Sequence, residues 1–142
     1  MAKPFVFDTS VYIRALRLGD EDLLTQMRSD GSPIYLSSVV LEELFVGASD
    51  RKALNALIKL ENQFQKVGRI LTPSQSDWSA TGRILNRAGV KYGFEKVGKL
   101  RLTNDTLLAT SVARVGFKLF TINAKDFAMV SDFRKFDWEV IA

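Results

Sequence analysis

The stretch TNDTLLATSVARVGFKLFTIN, Thr103 to Asn123, carries the pattern from which the fold follows. Asp105, Leu108, Val112 and Val115 stand at i, i+3, i+7 and i+10, so the spacing predicts a helix with Asp105 at the head of its apolar stripe, turned toward a sheet edge. Gly116 ends that helix. Phe117 to Ile122 then alternates with period two, as a strand does, and stops at Asn123 with Asp126 just beyond.

Outward from this unit the same alternation of helix and strand continues. Phe5 to Phe7 reads as a short buried strand, set off by Pro4 and ended by Asp8-Thr9-Ser10. A helix is expected over Val11 to Leu18, a second short one over Asp20 to Ser29, a turn at Gly31-Ser32-Pro33 and a strand at Ile34 to Leu36. Ser37 or Ser38 caps a helix that runs to Gly47. Arg51 to Val67 is amphipathic, with Leu54, Leu57, Ile58 and Phe64 at helical spacing. Arg69 to Leu71 reads as a strand, and Ser74 to Tyr92 as a helix weakened by Gly82 and Gly89. Gly93 to Leu102 reads as a basic loop, Thr103 as the cap of the next helix, and Asp137 to Ile141 as a last strand. Strands alternating with helices imply an α/β fold: one domain over residues 1–142, with a mostly parallel, twisted sheet of about four to five strands flanked by helices.

Composition narrows the chemistry. The chain has 142 residues, no His and no Cys. A Ser-His-Asp triad, a thiol nucleophile and the usual zinc sites are therefore excluded, and oxygen ligation of a hard cation, Mg²⁺, Mn²⁺ or Ca²⁺, is what remains. Charges break every apolar run well short of a membrane span, and the N-terminal apolar run is too short for a secretory signal, so a cytoplasmic location is expected. The net charge of +4 fits a polyanionic partner. Between Arg83 and Arg101, six cations (Arg83, Arg87, Lys91, Lys96, Lys99 and Arg101) face the single acid Glu95. That segment is either a solvated helix face plus loop or a patch that contacts phosphates.

Four positions next to apolar segments stand out: Asp8, the pair Glu42-Glu43, Asp105, and Asn123 with Asp126. Asp8 and Asn123 fall just past the carboxyl ends of strands, the edge at which open parallel sheets bind ligands. Each position also has an ordinary reading. Asp8 can cap the following helix, Asp105 can complement a helix dipole, and adjacent glutamates on a helix are commonly solvated. Periodicity alone does not separate Glu42 from Glu43, which lie about 100° apart. Convergence would change the energetics. Two carboxylates about 4 Å apart repel by roughly 4 kcal/mol at an effective dielectric near 20, and a divalent cation reverses that sign.

The segments FVFDTSVYI, SSVVLEELFVGA, RLTNDTLLATSVARVGFKLFTINAKDF and WEVI together resemble the PIN domain, and specifically the VapC-type toxin ribonucleases. They span residues 5 to 141. The Glu-Leu-x-x-Gly register assigns the ligand role to Glu43, and Asp8 and Asp105 match the other main acids of the family. Where the family often has a fourth Asp, this chain has Asn123, with Asp126 three residues later. The resemblance implies Mg²⁺- or Mn²⁺-dependent cleavage of RNA phosphodiester bonds by Asp8, Glu43, Asp105, Asn123 and Asp126. Ser10 and Thr121 are similar to family hydroxyls that orient carboxylates or the phosphate. The family also implies a homodimer and a silencing antitoxin, with apolar residues of Val11–Leu24 and Leu54–Phe64 as candidate surfaces. A receiver domain would need paired acids after the first strand, and a haloacid-dehalogenase-like phosphatase a second Asp where Ser10 stands. A non-catalytic RNA-binding or scaffold module is the remaining alternative.

Overall fold

The computed structural model describes residues 3–18, 31–100 and 102–141; the helix expected over Asp20 to Ser29 lies outside the described residues. Among the described residues, five strands and seven helices follow one another in the order β1 (Phe5–Phe7), α1 (Thr9–Leu18), β2 (Ile34–Ser37), α2 (Ser38–Gly47), α3 (Arg51–Lys66), β3 (Ile70–Leu71), α4 (Gln75–Tyr92), α5 (Phe94–Leu100), α6 (Thr103–Val115), β4 (Lys118–Thr121), α7 (Ala124–Phe133) and β5 (Asp137–Val140). The strands form one sheet, ordered β3-β2-β1-β4-β5, and every pairing is parallel. The chain builds outward from β1 to β3, then crosses back to lay β4 and β5 on the other side. The crevice at the carboxyl ends of β1 and β4 is therefore a topological switch point.

Local chemistry explains most boundaries. Ser37, not Ser38, caps α2 by accepting from the Val39 amide. Asp50 caps α3 through the Ala53 amide. Ser74 and Asp77 close a reciprocal capping box on α4. Gly116 ends α6 in the left-handed region, φ 71°, with its N–H turned back to Ala113 and Val112. The core joins β1, Leu36 and Leu119 to Val11, Val40, Leu108, Val112 and Phe127.

Two expectations are corrected. Thr103 does not cap α6; Leu102 holds that position without a side-chain bond. The segment read as a basic loop is largely α5. Gly93, at φ 99°, breaks the helix, and Phe94 then folds back onto Gly89, where a Cβ would overlap its ring. No expectation covers α7, a helix that buries only Phe127 and Val130 and to which Asn123 gives no side-chain cap.

Two buried polar links join α4 to α6, the helix that carries Asp105. The hydroxyls of Thr81 and Thr110 meet at 3.0 Å, and Arg114 Nε reaches both oxygens of the buried Asp77 at 3.0 and 2.9 Å.

Candidate functional site

Register brings Asp8 and Thr121 together. Phe7 pairs with Phe120, so the residue after β1 meets the last residue of β4, and the Asp8 amide donates to the Phe120 carbonyl at 3.1 Å. The Asp8 carboxylate is 5% exposed. Its Oδ1 accepts from Ser10 Oγ at 2.5 Å and from the Val11 amide at 3.3 Å, and its Oδ2 from Thr121 Oγ1 at 2.6 Å. Asp8 thus does cap α1, and it is held from both sides. Burial pushes its carboxyl above the usual range, and these hydrogen bonds pull part of the way back.

The structure separates the two glutamates. Glu43 is half-buried, and its Oε1 accepts from Thr9 Oγ1 at 2.7 Å. Glu42 is exposed and its Oε2 accepts from Asn104 Nδ2 at 3.3 Å.

Asp105 occupies the first turn of α6. Burial is the main force that raises its carboxyl, to about 8. A hydrogen bond with Asp126 adds to this, as do the charges of Asp126, Glu43 and Asp8. Asp105 thus lies within electrostatic reach of three acids carried by other elements. Asn123 is exposed. Its amide N–H donates to Thr121 Oγ1 at 2.9 Å and its Nδ2 to Asp126 Oδ2 at 3.1 Å.

Hard oxygen donors are what Mg²⁺ or Mn²⁺ takes. Among the described residues, no Lys or Arg pairs with any of these four acids. Nor do three of them stand there as a ready-made ligand set. The reason is local. Asp105 is engaged by Asp126, Glu43 is tied to Thr9, and Asp8 is tied to Ser10 and Thr121. The donor set therefore fits such an ion in its chemistry, while each carboxylate is held by its own hydrogen-bond partner.

Arg83, Arg87 and Lys91 stand at i, i+4 and i+8 of α4, all exposed. The Arg87 guanidinium lies 5.8 Å from the Phe133 ring centre, and Lys91 Nζ lies 5.1 Å from that of Tyr92 and 5.8 Å from that of Phe133. Phe133 ends α7 and Asp126 heads it, about 10 Å apart along the axis. The Lys99 side chain and Arg101 lie outside the described residues.

Sequence reasoning passed over Thr9, which orients Glu43, and Asn104, which ties down Glu42. Their one signal was adjacency to Asp8 and Asp105.

The family model for the PIN domain matches residues 5–132. No curated protein matches the chain in sequence. Among solved structures, the chain is similar to DNA-bound VapBC from Salmonella typhimurium, with TM-score 0.70, 19% identity and 98% of each chain covered. It is similar to VapBC2 from Rickettsia felis bound to a promoter DNA fragment, with TM-score 0.68, 17% identity, and 98% of this chain and 99% of that one covered. It is also similar to VapBC-5 from Mycobacterium tuberculosis, a member of the VapBC family of toxin–antitoxin systems, with TM-score 0.55, 22% identity, and 99% and 98% covered.

Proposed function

Because the chain belongs to the PIN domain family, we propose that it is a metal-dependent endoribonuclease, the toxin of a toxin–antitoxin pair. One observation supports this reading: Asp105 is buried within electrostatic reach of Asp126, Glu43 and Asp8, and burial and those acids raise its carboxyl to about 8. A fold does not keep such a cluster for stability, since each added charge opposes the others.

In this reading Asp8, Glu43 and Asp105 hold Mg²⁺ or Mn²⁺. The bound ion would acidify a water and neutralise charge on the phosphate oxygens. Ser10 and Thr121 fix the direction of the Asp8 oxygens, and Thr9 fixes Glu43. Asp126 stands beside Asp105, and Asn123 orients Asp126. The exposed cations of α4 contact the RNA backbone.

The VapBC likenesses support an antitoxin partner. A cavity of about 490 Å³ between α1, α2 and α3, lined by Ile13, Leu16, Leu44, Ala53 and Leu57, reaches Glu43 and is the face we assign to it. Of the apolar residues expected at that surface, Val11, Leu57 and Phe64 are core, whereas Ile13, Leu16, Leu54 and Ile58 are exposed; residues 19–24 lie outside the described residues. A homodimer and a cytoplasmic location belong to the same reading.

Cleavage of total RNA by the purified chain, with Mg²⁺ or Mn²⁺, with EDTA, and by Asp8→Asn, tests it. Metal-dependent cleavage lost in the variant supports the nuclease. Binding without cleavage under every condition, in protein free of a copurified partner, moves the assignment to a non-catalytic RNA-binding module.

A further inference from the structure

A second cavity, of about 260 Å³, opens on the carboxyl edge of the sheet, among the first turns of α2, α4 and α6 and the loop after β3. Ser38, Glu42, Pro73, Trp78, Asn104 and Leu107 line it. Glu42 and Asn104 are the chain neighbours of Glu43 and Asp105, and their 3.3 Å hydrogen bond ties α2 to α6 beside the acids. Trp78 is 56% exposed although it lines that cavity. An indole left open beside polar edge groups is a stacking platform.

We propose that this cavity is a base-binding subsite for single-stranded RNA, in which Trp78 stacks on a nucleobase flanking the scissile phosphate while Glu42 and Asn104 read its Watson–Crick edge. The proposal rests on the nuclease reading for its placement of that phosphate. The chemistry of the edge selects the base. An ionised carboxylate only accepts hydrogen bonds. Guanine offers it two adjacent donors, N1–H and the N2 amino group, and the second N–H of the Asn104 amide is left for guanine O6. Uracil offers one N–H between two carbonyl oxygens, which the carboxylate repels. A protein partner would want a broad apolar face, whereas a base needs one ring and a few edge contacts, which is what the cavity provides.

The test measures binding apart from cleavage. Labelled single-stranded oligoribonucleotides are titrated, in EDTA, against the full chain carrying Asp8→Asn, and read by fluorescence anisotropy. An oligouridine containing one guanosine should bind roughly tenfold tighter than oligouridine alone. Trp78→Ala should abolish most of that gain, Trp78→Phe should retain it, and Glu42→Gln should level guanosine with uridine. Equal affinity of Trp78→Ala and its parent, or no guanosine preference in the parent, overturns the subsite. Cleavage of the same oligonucleotides by the unmodified chain with Mn²⁺ is scored separately. Guanosine-selective, Trp78-dependent binding without cleavage would sink the nuclease reading while supporting the base pocket. Cleavage indifferent to Trp78 and to the base would sink the pocket alone.

Discussion

Thr121 Oγ1 donates to Asp8 Oδ2 at 2.6 Å across 113 positions of sequence, and the same oxygen accepts from the Asn123 amide at 2.9 Å. One fully buried hydroxyl thus joins the ends of β1 and β4 and sets the direction of the carboxylate between them. Thr121→Val keeps the shape and removes both bonds. The orphaned amide alone should cost about 1–3 kcal/mol of stability. Asp8 loses one of the bonds that hold its carboxyl down, so the acid limb of the cleavage profile should move to higher pH. Thr121→Ser should restore both. A Val variant with the parent's pH profile would show that the hydroxyl does not govern Asp8.

Asp105→Asn should abolish cleavage, leave the fold intact and change how metal-free stability depends on pH. The Asp105 carboxyl lies at about 8 in the folded chain, against roughly 4 for an ordinary aspartate. The folded protein therefore keeps a proton that the unfolded chain gives up. That contribution is fully present below about 4 and is lost as pH rises through 8. Thermal melts in EDTA should show the parent losing stability relative to Asp105→Asn between those values. Adding Mn²⁺ at pH 8 should raise the parent's Tm and do little for the variant. Parallel curves for the two proteins would refute the assignment.

The two glutamates should fail differently. Glu43→Gln weakens metal affinity and cleavage together, by at least about tenfold, since it removes a charge beside Asp105. Glu42→Gln should leave metal affinity intact and change base preference. Calorimetric titration with Mn²⁺ separates them, and equal losses of affinity would mean that the Glu-Leu-x-x-Gly register points to the wrong residue.

Much of this was legible because periodicity and strand ends are local signals. The Asp105-Leu108-Val112-Val115 spacing is that of α6, and the apolar runs ending at Asp8 and near Asn123 are β1 and β4. What stayed hidden depends on contacts between distant segments. Nothing local marks Thr9 as the partner of Glu43 across 34 positions, or Trp78 as a neighbour of Asn104. Likewise α5 hides behind Gly93 and Gly98, because its helix is set by docking on α4 and not by propensity.

Arg83, Arg87 and Lys91 form a line on α4, and two of them rest on Phe133. Changing all three to Gln should weaken RNA binding and reduce the slope of log K against log salt by about 2, at roughly 0.7 per phosphate contact on a single strand. Fluorescence anisotropy between low and moderate salt measures it. An unchanged slope would assign the line to a solvated face held by its own aromatic contacts.

Gly89 lies under Phe94, and a Cβ there would overlap the ring. Two effects oppose each other in Gly89→Ala. Helix propensity gains about 1 kcal/mol inside α4, while overpacking costs about 1–3 kcal/mol unless the ring moves. The overlap should win, giving a net loss of roughly 1 kcal/mol in chemical denaturation. If the ring is the cause, the sign should reverse in a Phe94→Ala background, where the same substitution has only the propensity gain left. Amide exchange in α5 should rise in Gly89→Ala and in Phe94→Ala alike, because each removes the docking that keeps α5 helical next to a glycine at φ 99°. A Gly89→Ala protein as stable as its parent, with α5 equally protected, would show that the helix is held by something other than this contact.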